Sequence, residues 1–152
     1  MDKPNQFTVF ALDDQRYALR LAAVDRVVRA VEINPLPQAP EIVAGVVNVK
    51  GEIVPIINVR RRFRLPEREV ALTDHLVIAH TARRPVGLLV DAVTDVIEYP
   101  EQDIAGAEGI LSGLDYVEGV VKLQDGLVLI HDLDKFLSLE EEDSLDRVLE
   151  TS

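Results

Sequence analysis

GVVNVKGEIVPIINV, Gly45 to Val59, returns 74 residues later as GVVKLQDGLVLIHDL, Gly119 to Leu133. The opening Gly-Val-Val, a central turn glycine and the aliphatic pairs Val54/Val128 and Ile56/Ile130 recur in order. Each stretch reads as strand, tight turn and strand. Gly51 can supply the positive φ of one turn, and Asp125-Gly126 is the strongest hairpin turn in the chain. Upstream, YALRLAAVDRVV from Tyr17 lies on VGLLVDAVTDVI from Val86, 69 residues apart, with apolar positions matching almost throughout. Two matches in the same order predict two copies of one β unit, about residues 7–65 and 76–137. A unit of about sixty residues is marginal for a core of its own, so the copies are expected to pack together and share one. The seam between them is then a natural groove.

The rest of the chain carries the same punctuation, with apolar runs of four to eight residues broken by turn residues. Strands are expected at Phe7 to Leu12, Tyr17 to Leu21, Val27 to Ile33, Leu76 to His80, Val86 to Val90 and Val93 to Tyr99, besides the four in the repeated stretches. Pro35, Pro37 and Pro40 make a stiff connector. Val59 to Phe63 and Leu133 to Leu137 read as equivalent helical turns after each copy. Ser138 with Glu141 forms a capping box, opening an acidic helix over residues 138–150 whose charged side reads as a solvated face. The fold class is mostly β.

Composition narrows function. Sixteen Lys and Arg stand against 27 Asp and Glu, for a net charge of −11, which disfavours binding to nucleic acid. No apolar run approaches the roughly 20 residues of a membrane span. There is no cysteine, so thiolate chemistry and cysteine metal sites are excluded. Met1 to Gln6 shows no basic start followed by an apolar run, and a cytoplasmic location is expected.

Catalytic signatures are nearly absent. His75, His80 and His131 are scattered over three strands without metal-ligand spacing, and no metal or other cofactor is expected. Asp91 and Asp95 could in principle form a carboxylate pair, and a small β-barrel hydrolase using Asp91 and His131 stands as the alternative from another class. Arg60-Arg61-Arg62, with Phe63 and Arg64, is the one basic patch and reads as an acidic-partner contact or a solvated face.

IVAGVVNVKGEIVPIINVRRRF (Ile42 to Phe63), VGLLVDAVTDVIEY (Val86 to Tyr99) and YVEGVVKLQDGLVLIHDLDKFL (Tyr116 to Leu137) resemble the three ordered motifs of CheW-type chemotaxis adaptors. The resemblance runs from about Phe7 to Ser138. It implies two SH3-like five-stranded β-barrels packed around a shared hydrophobic core, with short connecting helices and a C-terminal helix. It also implies a non-enzymatic adaptor, in cytoplasmic arrays, coupling the cytoplasmic tip of methyl-accepting chemotaxis receptors to the regulatory domain of a CheA-type histidine kinase. A detached regulatory domain of CheV or CheA type, or an adaptor of a non-flagellar pathway, is the alternative within that class.

By the same resemblance the receptor tip lies along Val24, Val27, Val28, Gly45, Val46, Asn48, Lys50 and Gly51, with Val90, Val93 and Val96 from the second copy. Such a strip of aliphatic side chains suits helix-in-groove recognition. Kinase contacts are expected at Arg26, Arg29, Asp115 and Glu118. The chain departs from the family pattern at Lys50, where arginine is usual, at Arg26, often acidic, at Asn58, often aspartate, and in its acidic terminal extension.

Overall fold

The computed structural model describes residues 5–13, 15–29, 33–67, 69, 71, 73–100, 104–106, 117–124 and 126–150. Eleven strands form among them: β1 (Asn5–Leu12), β2 (Gln15–Arg20), β3 (Val24–Arg29), β4 (Val43–Val49), β5 (Glu52–Ile57), β6 (His75–His80), β7 (Pro85–Val90), β8 (Ala92–Tyr99), β9 (Ala105–Gly106), β10 (Val117–Leu123) and β11 (Gly126–His131). Two helices join them, α1 (Val59–Arg62) and α2 (Leu139–Glu150). The third strand begins three residues earlier than expected. A register shift between Val24 and Arg26 breaks the two-residue alternation by which its start would be read.

Sheet A has the order β8-β1-β2-β11-β10-β9 and sheet B the order β3-β6-β7-β5-β4. Matched by the repeat, β1, β2, β3, β4 and β5 correspond to β6, β7, β8, β10 and β11. Sheet A therefore takes β1 and β2 from the first copy and the rest from the second, and sheet B is its mirror in composition. The expected halves, residues 7–65 and 76–137, are not the structural halves. The reason lies in two crossings. A three-residue 3-10 turn, Leu21–Ala23, carries the chain from β2 to β3, and Asp91 alone separates β7 from β8. Neither link is long enough to bring the chain back beside its own hairpin, so each copy leaves its first two strands in one sheet and gives its last three to the other.

Exchanging the two copies restores the same strand order, which makes the molecule pseudo-two-fold. The detail follows the symmetry. Gly45 and Gly119 both sit at register shifts in their hairpins, β4–β5 and β10–β11. The parallel pairs β5–β7 and β11–β2 meet at Ile56↔Gly87 and Ile130↔Ala18, equivalent positions in both copies. Asn58 caps α1 by accepting from the Arg61 amide, while Asp132 accepts from the Asp134 amide to cap the 3-10 turn Leu133–Lys135.

Alternation along the strands gives each sheet two apolar faces. Phe10, Leu12, Tyr17 and Leu19 from sheet A meet Val77, Ala79, Val86 and Leu88 from sheet B in one shared cluster. The outward faces carry smaller clusters, Phe7, Val9 and Val128 on sheet A and Val47, Ile56 and Leu76 on sheet B. The shared cluster also holds Leu145 of α2, fully buried. The capping box forms as expected, with the Ser138 amide donating to Glu141 Oε1 at 2.7 Å and the Glu141 amide to Ser138 Oγ at 3.1 Å. The acidic side of α2 is not simply solvated. Glu141 pairs with Arg62 at 2.7 Å, Glu142 with Arg83 at 3.2 Å, and Asp146 with Arg84.

One guanidinium ties the β1–β2 hairpin turn to the second crossing. Arg60, 8% exposed, donates to both carboxylate oxygens of Asp13 at 2.8 and 3.2 Å, to both of Asp91 at 2.9 Å, and to the Pro66 carbonyl at 2.9 Å. Asp91 accepts from the Asp13 amide at 2.7 Å, and its own amide donates to the Ala11 carbonyl at 3.0 Å. Arg60→Met removes the cation and leaves two carboxylates facing each other. Because Asp13 and Asp91 keep some solvent, the expected loss is about 2 kcal/mol, below the range for fully buried pairs. Urea unfolding of the variant checks it.

Candidate functional site

β8 and β3 are the free ends of their sheets. Each pairs on one side only, β8 with β1 and β3 with β6. Cross-strand partners share a face, so the register decides which way each side chain looks. Val24 lies opposite Ala79 and Val27 opposite Val77, both members of the shared cluster. Val93 lies opposite Phe10 and Val96 opposite Thr8, on the same face as Phe10 and Leu12. Val24 and Val93 pack against the shared cluster, whereas Val27 and Val96 stand 39% and 50% exposed. Four symmetry-related valines therefore lie on the core-facing sides of the two edge strands, an inner pair packed on the core and an outer pair facing solvent.

The other expected receptor positions separate from these. Val28 lies opposite Leu76 and packs against the outer cluster of sheet B. Val90 is 1% exposed and belongs to the shared core, so it offers no contact surface. Gly45, Val46, Asn48, Lys50 and Gly51 lie on or beside β4, at the end of sheet B away from β3. Gly45 is a packing glycine: a Cβ there would lie 2.4 Å from the Asn34 carbonyl oxygen. Its neighbour Val46 exchanges two main-chain hydrogen bonds with Asn34, at 2.8 and 2.9 Å. Gly45 and Val46 thus seat the connector that follows β3. Asn48 accepts from the Gly51 amide at 2.8 Å, and Lys50 and Gly51, with φ of 51° and 88°, form the exposed tip of a primed hairpin turn.

Of the expected kinase contacts, Arg26 and Arg29 are exposed on β3, with Arg29 on the seam-facing side opposite His75. Glu118 pairs with Arg20 at 2.8 Å, and the Arg20 guanidinium also sits 5.4 Å from the centre of the Phe7 ring. Asp115 lies outside the described residues, as does Asp125 of the second hairpin turn.

The basic run is consumed within the molecule. Arg60 holds Asp13 and Asp91, Arg61 pairs with Glu41 at 2.9 Å and Glu67 at 3.2 Å, and Arg62 with Glu141. The Arg61 hydrogen bond, with a second from Asn58, lowers the Glu67 pKa. Asn58 can cap α1 and donate to Glu67 at once, which an aspartate could not.

The alternative hydrolase pair does not assemble from these surroundings. Asp91 is bound to Arg60, while Asp95 accepts from the adjacent Val96 amide. His131, 2% exposed, packs among the rings of Tyr17, Phe63 and Phe136. Burial pushes its pKa down to about 3. Among the described residues no cluster of His, Asp and Glu could hold a metal ion, and no helix is long and apolar enough to cross a membrane.

Glu98 is a seam residue that sequence reading missed. It lies opposite Gln6 on the same face as Val96, and accepts from Gln6 Nε2 at 3.0 Å. The 69-residue repeat offset sets it against Arg29, one residue beyond the end of the matched stretch Tyr17 to Val28 and Val86 to Ile97.

Two sheets fused through one core, each ending in an edge strand with exposed valines, offer a surface suited to binding. A family model described as CheW-like domain matches residues 6–141. Chemotaxis protein CheW of Treponema pallidum (strain Nichols) is 28% identical over 92% of this chain and 86% of its own length. Chemotaxis protein CheW of Bacillus subtilis (strain 168) is 30% identical over 90% and 88%. The crystal structure of the scaffolding protein TtCheW from Thermoanaerobacter tengcongensis superposes with a TM-score of 0.83 at 29% identity, covering 91% of this chain and 95% of that one. The chain belongs to the CheW-like domain family, a family of chemotaxis adaptors.

The depressed His131 pKa carries a stability consequence. The unfolded imidazole protonates near its ordinary value of about 6.5, the folded one only near 3. Between those values the unfolded state binds more protons, so stability falls as pH drops from about 6.5 toward 3. His131→Phe is expected to flatten that slope. Urea midpoints at pH 7.5 and 5 for the two proteins measure the difference.

Proposed function

We propose that the protein couples a chemoreceptor's cytoplasmic tip to the regulatory domain of a CheA-type histidine kinase by binding alone, in the cytoplasm beneath the receptor arrays. The observation that carries the receptor half is the seam: Val24, Val27, Val93 and Val96, contributed by two free strand edges over one core. A helical hairpin presents an aliphatic stripe, and a strip of valines between polar rims is its complement. The names of the similar chains support the reading, since they are chemotaxis and scaffolding proteins.

An SH3-like barrel form for the sheet B half is supported by the Asn34–Val46 bridge, which ties the connector leaving β3 to β4 at the far end of that sheet. The kinase domain is expected on surfaces outside the seam, at Arg26, at Glu118 with its partner Arg20, and at the exposed Lys50-Gly51 tip.

Calorimetric titration against a receptor-tip fragment and, separately, a kinase regulatory domain from the same organism tests both halves. Val27→Glu and Val96→Glu place a charge on an exposed seam position and are expected to weaken receptor-tip binding about tenfold or more, each desolvating a carboxylate against valines. Kinase-domain affinity and the circular dichroism spectrum stay unchanged. Gly45→Asp behaves differently, unfolding the connector contact and lowering stability by roughly 1–3 kcal/mol. A receptor fragment that binds neither the wild type nor the variants would remove the seam as its site.

A further inference from the structure

The seam is apolar on a pseudo-two-fold plan, and that creates a problem of direction. A two-fold that exchanges the walls of a groove open on one side must run along the opening, across any helix lying in the groove. Turning such a helix end for end then gives it nearly the same valines: Val24 exchanges with Val93 and Val27 with Val96. Apolar contact alone cannot choose between the two directions.

Charge can. At the position equivalent by the repeat, the β3 wall carries Arg29 and the β8 wall Glu98. Both lie on the seam-facing side, Arg29 two residues beyond Val27 and Glu98 two beyond Val96, and both are exposed. Their cross-strand neighbours, His75 beside Arg29 and Gln6 beside Glu98, again stand at equivalent positions. On the same two strands, but on the opposite face, Arg26 and Asp95 differ in the same sense. The groove is thus symmetric in its valines and antisymmetric in its charges.

The geometry points to Arg29 and Glu98 as the residues that fix the direction of the docked helical partner, which carries an acidic side chain toward β3 and a basic one toward β8, on either flank of its apolar stripe. This rests on the seam being the receptor-tip site. It reassigns Arg29 from the kinase face to the receptor face. Rim charges add little to affinity but discriminate between poses, because the reversed pose sets like charges together at both walls.

The test uses the full chain and a receptor-tip helical-hairpin fragment carrying a nitroxide label at one end. At low salt, Arg29→Glu and Glu98→Arg are each expected to weaken fragment binding by about three- to tenfold, and added salt to shrink the difference. The double variant Arg29→Glu/Glu98→Arg regains most of the affinity. In it the amide resonances broadened by the label move from one end of the seam to the other, as a reversed helix requires. Unchanged affinity in both single variants, or an unmoved broadening pattern in the double variant, overturns the assignment. If Val27→Glu still weakens binding about tenfold or more in that case, the seam site stands and only its directional reading falls. Absence of binding to the wild type overturns both together.

Discussion

Neither copy of the repeat can bury its own apolar faces, and everything else in the fold answers to that. About sixty residues enclose too little volume for a core. The chain resolves the shortage by dividing each copy between the two sheets, two strands in one and three in the other, so that the inward faces of both sheets close one cluster that includes Phe10 and Leu88. The crossings are short, and the second of them, at Asp91, needs holding from elsewhere in the fold. The Arg60 guanidinium answers this by binding Asp13 at the first hairpin turn and Asp91 at the second crossing, with Asp91 in turn holding the Asp13 amide. An ion cluster of this kind adds little net energy beyond what well-packed apolar groups would give. Its contribution is positional, fixing β1–β2 against β7–β8.

Where the symmetry holds, the molecule is built for packing; where it breaks, the residues differ for another reason. Gly45 and Gly119, the Asn58 and Asp132 caps, and the four seam valines obey it. α2 breaks it, following only the second copy and reaching back to Arg62, Arg83 and Arg84, so its acidic residues neutralise arginines of both halves. Most of this helix lies beyond residue 141, where the match to the family model ends. The surplus of acid that the composition reports is therefore partly internal, and the net charge of −11 overstates the field offered to a partner.

Strand positions, both hairpins, the primed turn at Lys50-Gly51, the capping box and the repeat were legible because each depends on local chemistry. Strand exchange was not, since a repeat reveals which segments are equivalent but not which copy a strand joins. Burial was legible only on average. Val90 and Val93 read alike as valines three apart, yet one is sealed in the core and the other sits at the seam, because Asp91 turns the chain between them. Arg60 was hidden in a run of three arginines whose common appearance is that of a solvated face; only the position of Asp91, 31 residues on, shows that it turns inward. Gly45 was read as a contact residue because the connector that covers it comes from Asn34, an interaction with no sequence signature.

Free strand edges bearing exposed valines invite pairing with another chain, and natural sheets guard such edges with charge, bulges or short length. Here Val27 is bracketed by Arg26 and Arg29, and Val96 by Asp95 and Glu98. That placement guards each edge against its own kind, since β3 meeting β3 or β8 meeting β8 would set like charges together. It would not guard β3 of one molecule against β8 of another, where the charges attract. The second device is the bulge. Both edges carry a register shift, between Val24 and Arg26 on β3 and between Val9 and Phe10 where β1 meets β8, and a bulged edge twists out of the flat geometry that a long intermolecular ladder needs. Charge antisymmetry can therefore be kept for reading a partner's direction, because the task of preventing edge-to-edge association has been moved to the backbone.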